Sequence, residues 1–175
     1  MYVGEIMQAD CANGVGIRLS LFVSGCTNCC KGCFNEQTWD FHYGNLWTPE
    51  LENFFVNTLA QPFYDGMTIL GGEPFELENQ PEVAELIQRV KRELPEKTIW
   101  VYTGSVYDRD LMPGQRRYTA FTDSILDGID ILVDGPFVEE LKNIRLKFRG
   151  SANQRIIDMK KTRESGRVVL SAQNK

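Results

Sequence analysis

Hydrophobic and polar residues alternate from Ile17 to Ser24, with Ile17, Leu19, Leu21 and Val23 on one side and Arg18, Ser20, Phe22 and Ser24 on the other. A period of two predicts a half-buried β-strand, and Gly25 ends it. Residues 1–15 show no such period, and Asn13-Gly14 is a turn signal, so this stretch reads as a loop. Further on, Thr48-Pro49-Glu50 combines a capping hydroxyl, a proline for the first turn and an acid near the positive helix end. Leu51, Phe54, Phe55 and Leu59 give that helix an apolar face. Met67 to Leu70 predicts a short second strand closed by Gly71-Gly72. Pro81 opens the clearest helix, in which Val83, Leu86, Ile87, Val90 and Leu94 recur at helical spacing. Thr98 to Thr103, rich in β-branched and aromatic residues, predicts a third strand. A looser helical region runs from Tyr118 to Leu126. Ile129 to Val133 is a fourth strand ended by Asp134-Gly135-Pro136, and Phe137 to Lys142 suits one or two helical turns.

Strands alternating with helices imply a parallel sheet with right-handed crossovers. A complete eight-unit barrel takes about 250 residues. With 175 residues, the expectation is an α/β fold in the form of an open, incomplete (β/α) barrel. Ligands of such folds bind at the carboxyl ends of the strands. Four distinctive stretches fall there, each after a predicted strand: the loop from Cys26 to Cys33, Gly71-Gly72-Glu73-Pro74, Thr103-Gly104, and Asp134-Gly135-Pro136. That order gathers them around one mouth.

Composition narrows the class. Hydrophobic residues make up 42% and charged residues 25%, an ordinary globular mix in a chain long enough for one domain. The net charge of −5 argues against nucleic acid as a partner. No apolar run suits a membrane span, and the opening residues lack the basic start and apolar core of a signal peptide. With free cysteines, the expectation is a cytoplasmic protein.

The chemistry concentrates in Cys26-Thr27-Asn28-Cys29-Cys30-Lys31-Gly32-Cys33, which holds four of the five cysteines. Taken as Cys26, Cys30 and Cys33, the spacing is C-x3-C-x2-C, three thiolates on one short loop. Iron–sulfur clusters are held by thiolates, and three would leave one iron of a four-iron cluster open. Read as Cys26/Cys29 and Cys30/Cys33, the loop holds two abutting pairs that suit zinc, although structural zinc sites usually draw their pairs from separated segments. A disulfide would leave an odd cysteine over.

The C-x3-C-x2-C loop after a first strand resembles the signature of radical S-adenosylmethionine enzymes. The surrounding stretches resemble one branch of these, the anaerobic ribonucleoside-triphosphate reductase activating proteins. They are Asn13-Gly14-Val15-Gly16-Ile17-Arg18, Leu21-Phe22-Val23-Ser24-Gly25-Cys26, Cys33-Phe34-Asn35 with Thr38-Trp39, and Gly71-Gly72-Glu73-Pro74. Ile99-Trp100-Val101-Tyr102-Thr103-Gly104, Leu132-Val133-Asp134-Gly135 and Arg149-Gly150-Ser151-Ala152-Asn153-Gln154 follow in the same order. The resemblance runs to about residue 158. It suggests a domain over 1–158 and a tail over 159–175, whose basic Lys160, Lys161, Arg163 and Arg167 suit a solvated, frayed end.

The resemblance implies a [4Fe-4S] cluster on Cys26, Cys30 and Cys33, with S-adenosylmethionine chelated at the open iron. Gly72 and Glu73 would contact its methionine amino group, where glycine also lets backbone approach a ligand. Gly32 stands where the wider superfamily often places an aromatic. Phe34, just after the last cysteine, would lie near the adenine or be an ordinary core residue. An electron from flavodoxin or ferredoxin would cleave the sulfonium–C5′ bond. The resulting radical would take a hydrogen from a glycine of the reductase. Activation of another glycyl radical enzyme, such as pyruvate formate-lyase, is the alternative within the superfamily, and a zinc-stabilised interaction module the alternative outside it. Val15 replaces the family's usual proline, and Cys29 reads as a spectator. Cys11 reads as a small buried hydrophobe and His42 as a surface or packing residue. Arg18 reads as structurally paired, with an acid across the barrel as its candidate partner. Arg149 to Gln154 reads as a partner-facing or site-closing segment.

Overall fold

The computed structural model describes residues 1–174. Its strands are β1 (Tyr2–Asp10), β2 (Arg18–Val23), β3 (Asn45–Leu46), β4 (Gly66–Gly71), β5 (Thr98–Tyr102), β6 (Ile131–Asp134) and β7 (Arg155–Asp158). The helices are α1 (Pro49–Leu59), α2 (Gln80–Glu93), α3 (Tyr107–Asp110), α4 (Thr122–Gly128) and α5 (Met159–Ser165). One seven-stranded sheet runs in the order β3-β1-β2-β4-β5-β6-β7 and is not closed. The expected parallel set is its centre: β2, β4, β5 and β6 pair in parallel. Antiparallel strands flank it, β1 and β3 on one side and β7 on the other.

The expectation of a loop over residues 1–15 is corrected, because β1 occupies most of it. Its local pattern is poor, with Gly4, Glu5 and Gln8 interrupting the apolar residues and register shifts on both sides of the middle. Pairing with β2 decides it: Val3 lies opposite Val23 and Ile6 opposite Leu21. Tertiary pairing here outweighs weak strand propensity.

The alternation along β2 holds, but the strand is not half-buried. Leu19, Leu21 and Val23 enter the main core with Met67, Ile69, Ile99, Val101 and Leu132 of the neighbouring strands. Phe55 and Leu59 of α1, Val83, Leu86, Ile87 and Val90 of α2, and Ile125 of α4 cover that face. On the opposite face Arg18, Ser20 and Ser24 are also buried. Among the described residues Arg18 has no acid as its hydrogen-bond partner. Its guanidinium donates to the Thr68 and Thr98 hydroxyls and to the carbonyls of Val15, Met67 and Thr98, and it lies over the Trp100 ring at 5.4 Å. Burial lowers its pKa to about 10.

The capping signals work as read at α1, where the Thr48 hydroxyl accepts from Leu51 N at 3.3 Å. Phe54, placed on the apolar face by spacing, is exposed, and Val56 takes its share of the core. The frayed tail is a second correction. Asp158 caps α5 by accepting from Lys161 N at 3.0 Å, Met159 and Thr162 are buried, and Leu170 bridges to Ile157 of β7. Arg163 donates to the carbonyls of Leu126 and Ile129 at the end of α4, where a cation suits the helix dipole. Among the described residues no helix is long and apolar enough to cross a membrane.

Candidate functional site

β2, β4 and β6 leave the sheet close to glycines in the left-handed region: Gly25 at φ 96°, Gly71 at 102° and Gly135 at 99°. A side chain at Gly25 would also meet the Phe41 ring, 2.4 Å from an ideal Cβ. These glycines turn the chain sharply at one edge of the sheet, where a residue with a Cβ would be strained. The root of the cysteine loop is held on both sides. Gly25 N donates to Thr38 O at 2.8 Å, and Glu73 N donates to Gly25 O at 2.8 Å. Asn79 completes the clasp. It precedes α2 yet makes no cap; its amide donates to Ser24 O and Glu73 O instead.

From this root the chain presents Cys26, Cys30 and Cys33, all half-buried. Cys33 N donates to Cys30 O at 3.1 Å, and Asn35 N donates to Cys33 Sγ at 3.4 Å. Burial pushes the Cys26 thiol up to about 11, against backbone hydrogen bonds from Asn28 and Cys29. It also raises Cys30. Burial thus favours the neutral thiol at Cys26 and Cys30, and a bound metal would favour the thiolate.

The three cysteines share a cavity of about 570 Å³ with Phe34, Gly71 and Gly72, and with Phe22, Leu70 and Tyr102 from the sheet. Thus Cys26, Cys30, Cys33, Phe34 and Gly72 come together as expected from their positions after the strands. Phe34 is no core residue: it is 61% exposed, with Phe137 at 5.2 Å and the Lys142 ammonium 4.8 Å above its ring. Arg149, Gly150 and Gln154 line the same cavity.

Two sequence candidates stand apart from the lining. Gly32 has φ 70°, and a Cβ there would lie 2.8 Å from Glu139 Oε1. Glu73 is fully buried. One of its oxygens accepts from Phe75 N at 3.0 Å and the Thr103 hydroxyl at 2.7 Å; the other accepts from Gly104 N at 2.9 Å and the Asn28 amide at 3.1 Å. Its carboxylate braces the site from behind.

Cys29 is exposed, with φ 46°, and does not line the cavity. Cys11 is exposed, which corrects the expectation of a buried hydrophobe. His42 is at the surface, its ring edge-on to Tyr2.

Arg117 escaped the sequence reading. It lies in an irregular segment between α3 and α4 and is 7% exposed. One terminal nitrogen donates to Asn28 Oδ1 at 2.9 Å, Ser105 Oγ at 3.0 Å and Glu73 Oε2 at 3.4 Å; the other donates to Glu76 Oε1 at 2.7 Å and Thr27 Oγ1 at 3.1 Å. An arginine between Arg116 and Tyr118 in a turn-rich stretch carries no local mark of such a role.

The donor set fits an iron–sulfur cluster: Cys26, Cys30 and Cys33 line one cavity together with Gly71 and Gly72, and thiolates are the ligands such clusters take. Among the described residues no three His, Cys, Asp or Glu side chains converge on a position for one metal ion.

Residues 12–157 match the family described as "4Fe-4S single cluster domain". Over 152 residues the chain is 42% identical to the anaerobic ribonucleoside-triphosphate reductase-activating protein of Haemophilus influenzae, covering 86% of this chain and 93% of that protein. The protein of the same name from Escherichia coli K12 is 40% identical, with 86% and 94% covered. That of enterobacteria phage T4 is 33% identical over 156 residues, with 89% and 93% covered. With a cysteine-lined cavity at the strand ends and likeness along nearly the whole length of these relatives, the chain belongs to the family of anaerobic ribonucleoside-triphosphate reductase-activating proteins, built on a 4Fe-4S single cluster domain.

Proposed function

We propose that this protein activates an anaerobic ribonucleoside-triphosphate reductase by placing a glycyl radical on it, using a [4Fe-4S] cluster and S-adenosylmethionine. The open sheet is then the incomplete (β/α) barrel of a radical S-adenosylmethionine enzyme, working in the cytoplasm with flavodoxin or ferredoxin as electron donor. One observation carries the reading: Cys26, Cys30 and Cys33 share a cavity with the bare Gly71-Gly72 backbone in a chain 40% identical to a named activating protein.

The cluster supplies one-electron reductive cleavage of the sulfonium–carbon bond when S-adenosylmethionine is bound to it. The protein's residues supply placement. Cys26, Cys30 and Cys33 would hold three irons of the cluster. Gly71-Gly72 would bring backbone close to the amino-acid end of the ligand, and Phe34 would offer an aromatic face to its adenine. Glu73 would brace the loop beside the ligand, because its carboxylate serves Thr103, Gly104, Phe75 and Asn28 while its backbone N and O serve Gly25 and Asn79. Phe22, Leu70 and Tyr102 form an apolar wall along the cavity, which limits water near the reacting bond. The open sheet leaves access for a glycine on a loop of a large protein.

The test mixes reconstituted protein anaerobically with reductant, S-adenosylmethionine and a reductase deuterated at glycine Cα. A glycyl doublet in the EPR spectrum that collapses on labelling, with deuterium recovered in 5′-deoxyadenosine, is the expected result. Ligand cleavage that never yields the doublet on the reductase, but yields it on pyruvate formate-lyase, overturns the choice of partner. A colourless, zinc-loaded protein after anaerobic purification overturns the cluster.

A further inference from the structure

Three loops from three strand ends meet at one buried cation. Thr27 and Asn28 lie between the cluster ligands Cys26 and Cys30, Glu73 and Glu76 follow Gly72, and Arg117 follows β5. Arg117, Glu73 and Glu76 are all at least nine-tenths buried. Two carboxylates and one guanidinium out of water are stable only when their remaining hydrogen-bonding positions are filled. Here Thr27 and Asn28 fill most of them, although Arg117 Nε is buried without a partner. Thr27 donates from its backbone N at 2.8 Å and from its hydroxyl at 2.6 Å to Glu76 Oε1, while Asn28 donates its amide to Glu73 and accepts from Arg117. The cysteine loop therefore completes the ion network, and the network in turn fixes the loop.

Two further observations show a built arrangement. Gly104 makes room for Asn28: a Cβ there would lie 2.2 Å from the Asn28 amide nitrogen. The Arg117 carbonyl is itself anchored, accepting from Gln80 Nε2 at 2.6 Å at the start of α2 and from the Thr122 hydroxyl at 3.4 Å on α4. The guanidinium thus reaches the loop from a fixed base. Planar geometry with several donors suits arginine to this bridge, and a lysine would keep the charge but lose the fork.

We propose that Arg117 is the positioning residue of this site, locking the Thr27–Asn28 stretch onto Glu76 and Glu73 so that the metal-holding loop and the Gly72 loop keep one geometry. The proposal rests on the cluster reading for its purpose but not for its first test. Hydrogen exchange on the full-length, metal-free chain reads the loop directly. In Arg117→Gln, amides of residues 26–30 should exchange at least tenfold faster, while β5 and the middle of α2 keep wild-type rates, and Arg117→Lys should restore part of the protection. Because Arg117→Gln leaves two buried carboxylates without their cation and can fail to fold, Thr27→Val is the second variant. It removes the hydroxyl and strands no charge, and it should speed exchange at the same amides to a smaller extent.

After iron–sulfide reconstitution, the EPR change produced by S-adenosylmethionine should be weakened in Arg117→Gln and largely recovered in Arg117→Lys. Unchanged exchange at 26–30 in a folded variant, or acceleration spread evenly over the chain, overturns the proposal. If Arg117→Gln is unfolded, unchanged exchange in Thr27→Val overturns it. A protein that takes up no cluster leaves the exchange result standing and removes only the cluster reading.

Discussion

At the level of single residues, we propose Cys26, Cys30 and Cys33 as the cluster ligands and Cys29 as a bystander. Cys26, Cys30 and Cys33 line the cavity, while Cys29 is exposed and outside it. Alanine at any of the three should reduce iron and sulfide content after reconstitution to near background. Cys29→Ala should retain most of both, measured by colorimetric iron and sulfide assay; the opposite pattern would reassign the loop. Gly72 shows how structure changes a sequence expectation. From its place in Gly-Gly-Glu-Pro, a side chain there should crowd only the ligand. In the fold, a Cβ at Gly72 would also stand 2.6 Å from Gly25 O and 3.0 Å from both Thr38 O and Val23 O. Backbone yields little, and overpacking of this kind costs about 1–3 kcal/mol. Gly72→Ala should therefore lower the stability of the metal-free chain by that amount in urea unfolding, before any ligand is added. Unchanged stability would mean that the backbone relaxes there.

At the level of elements, caps give the cleanest tests because they act locally. Asp158 opens α5, and its carboxylate accepts from Lys161 N with the Lys161 ammonium 3.2 Å away. Burial acts to raise its pKa, but the hydrogen bonds and charge of Lys161 prevail, and the net shift is downward from 3.8. A lowered folded pKa means the stabilisation is fully present above the ordinary aspartate value and is lost as pH falls through the lowered one. Asp158→Ala should thus cost about 0.5–2 kcal/mol at pH 7. The gap from wild type should close progressively as urea unfolding is repeated from pH 4 downward. A gap independent of pH would show that the carboxylate charge plays no part. Thr48→Ala at α1 should carry a similar cost and no such acid dependence, since a hydroxyl does not titrate in this range.

At the level of the whole molecule, the unclosed sheet leaves the cavity bordered by the segment that follows β6. Ile144 is 92% exposed and lines the cavity beside Lys142 and Leu146. Phe34, 61% exposed, lines the same cavity, and exposed apolar side chains grouped beside the proposed reaction site suit contact with an incoming protein. Ile144→Asp should weaken the complex with the reductase at least tenfold in sedimentation or calorimetry, and should reduce glycyl radical yield. Cluster content and the EPR response to S-adenosylmethionine should stay as in wild type. Phe54→Asp, at a 49% exposed position on α1 outside the cavity lining, should leave the complex intact. Equal losses in both variants would mean that the effect is one of general surface charge.

Much of this protein was legible before its fold, and the reasons are local. The parallel strands announced themselves by β-branched runs closed by glycine, as at Met67 to Gly71 and Thr98 to Gly104. The α1 and α2 helices did so by caps and spacing, and the cluster loop by three cysteines at fixed separation. Each signal lies within a few consecutive residues, because dihedral preference and side-chain periodicity act over that range. What tertiary structure alone decided involves residues far apart in sequence. β1 exists through pairing with β2, and the tail forms α5 because Met159 and Thr162 find a core to enter. Arg18 is satisfied by carbonyls of Met67 and Thr98, not by an acid, and Glu73 turns its carboxylate inward to Thr103 and Gly104. Arg117 joins the cysteine loop across a separation of 89 residues from Asn28. A charged side chain in a loop reads the same in sequence whether water or two buried carboxylates surround it; its neighbours in space make the difference.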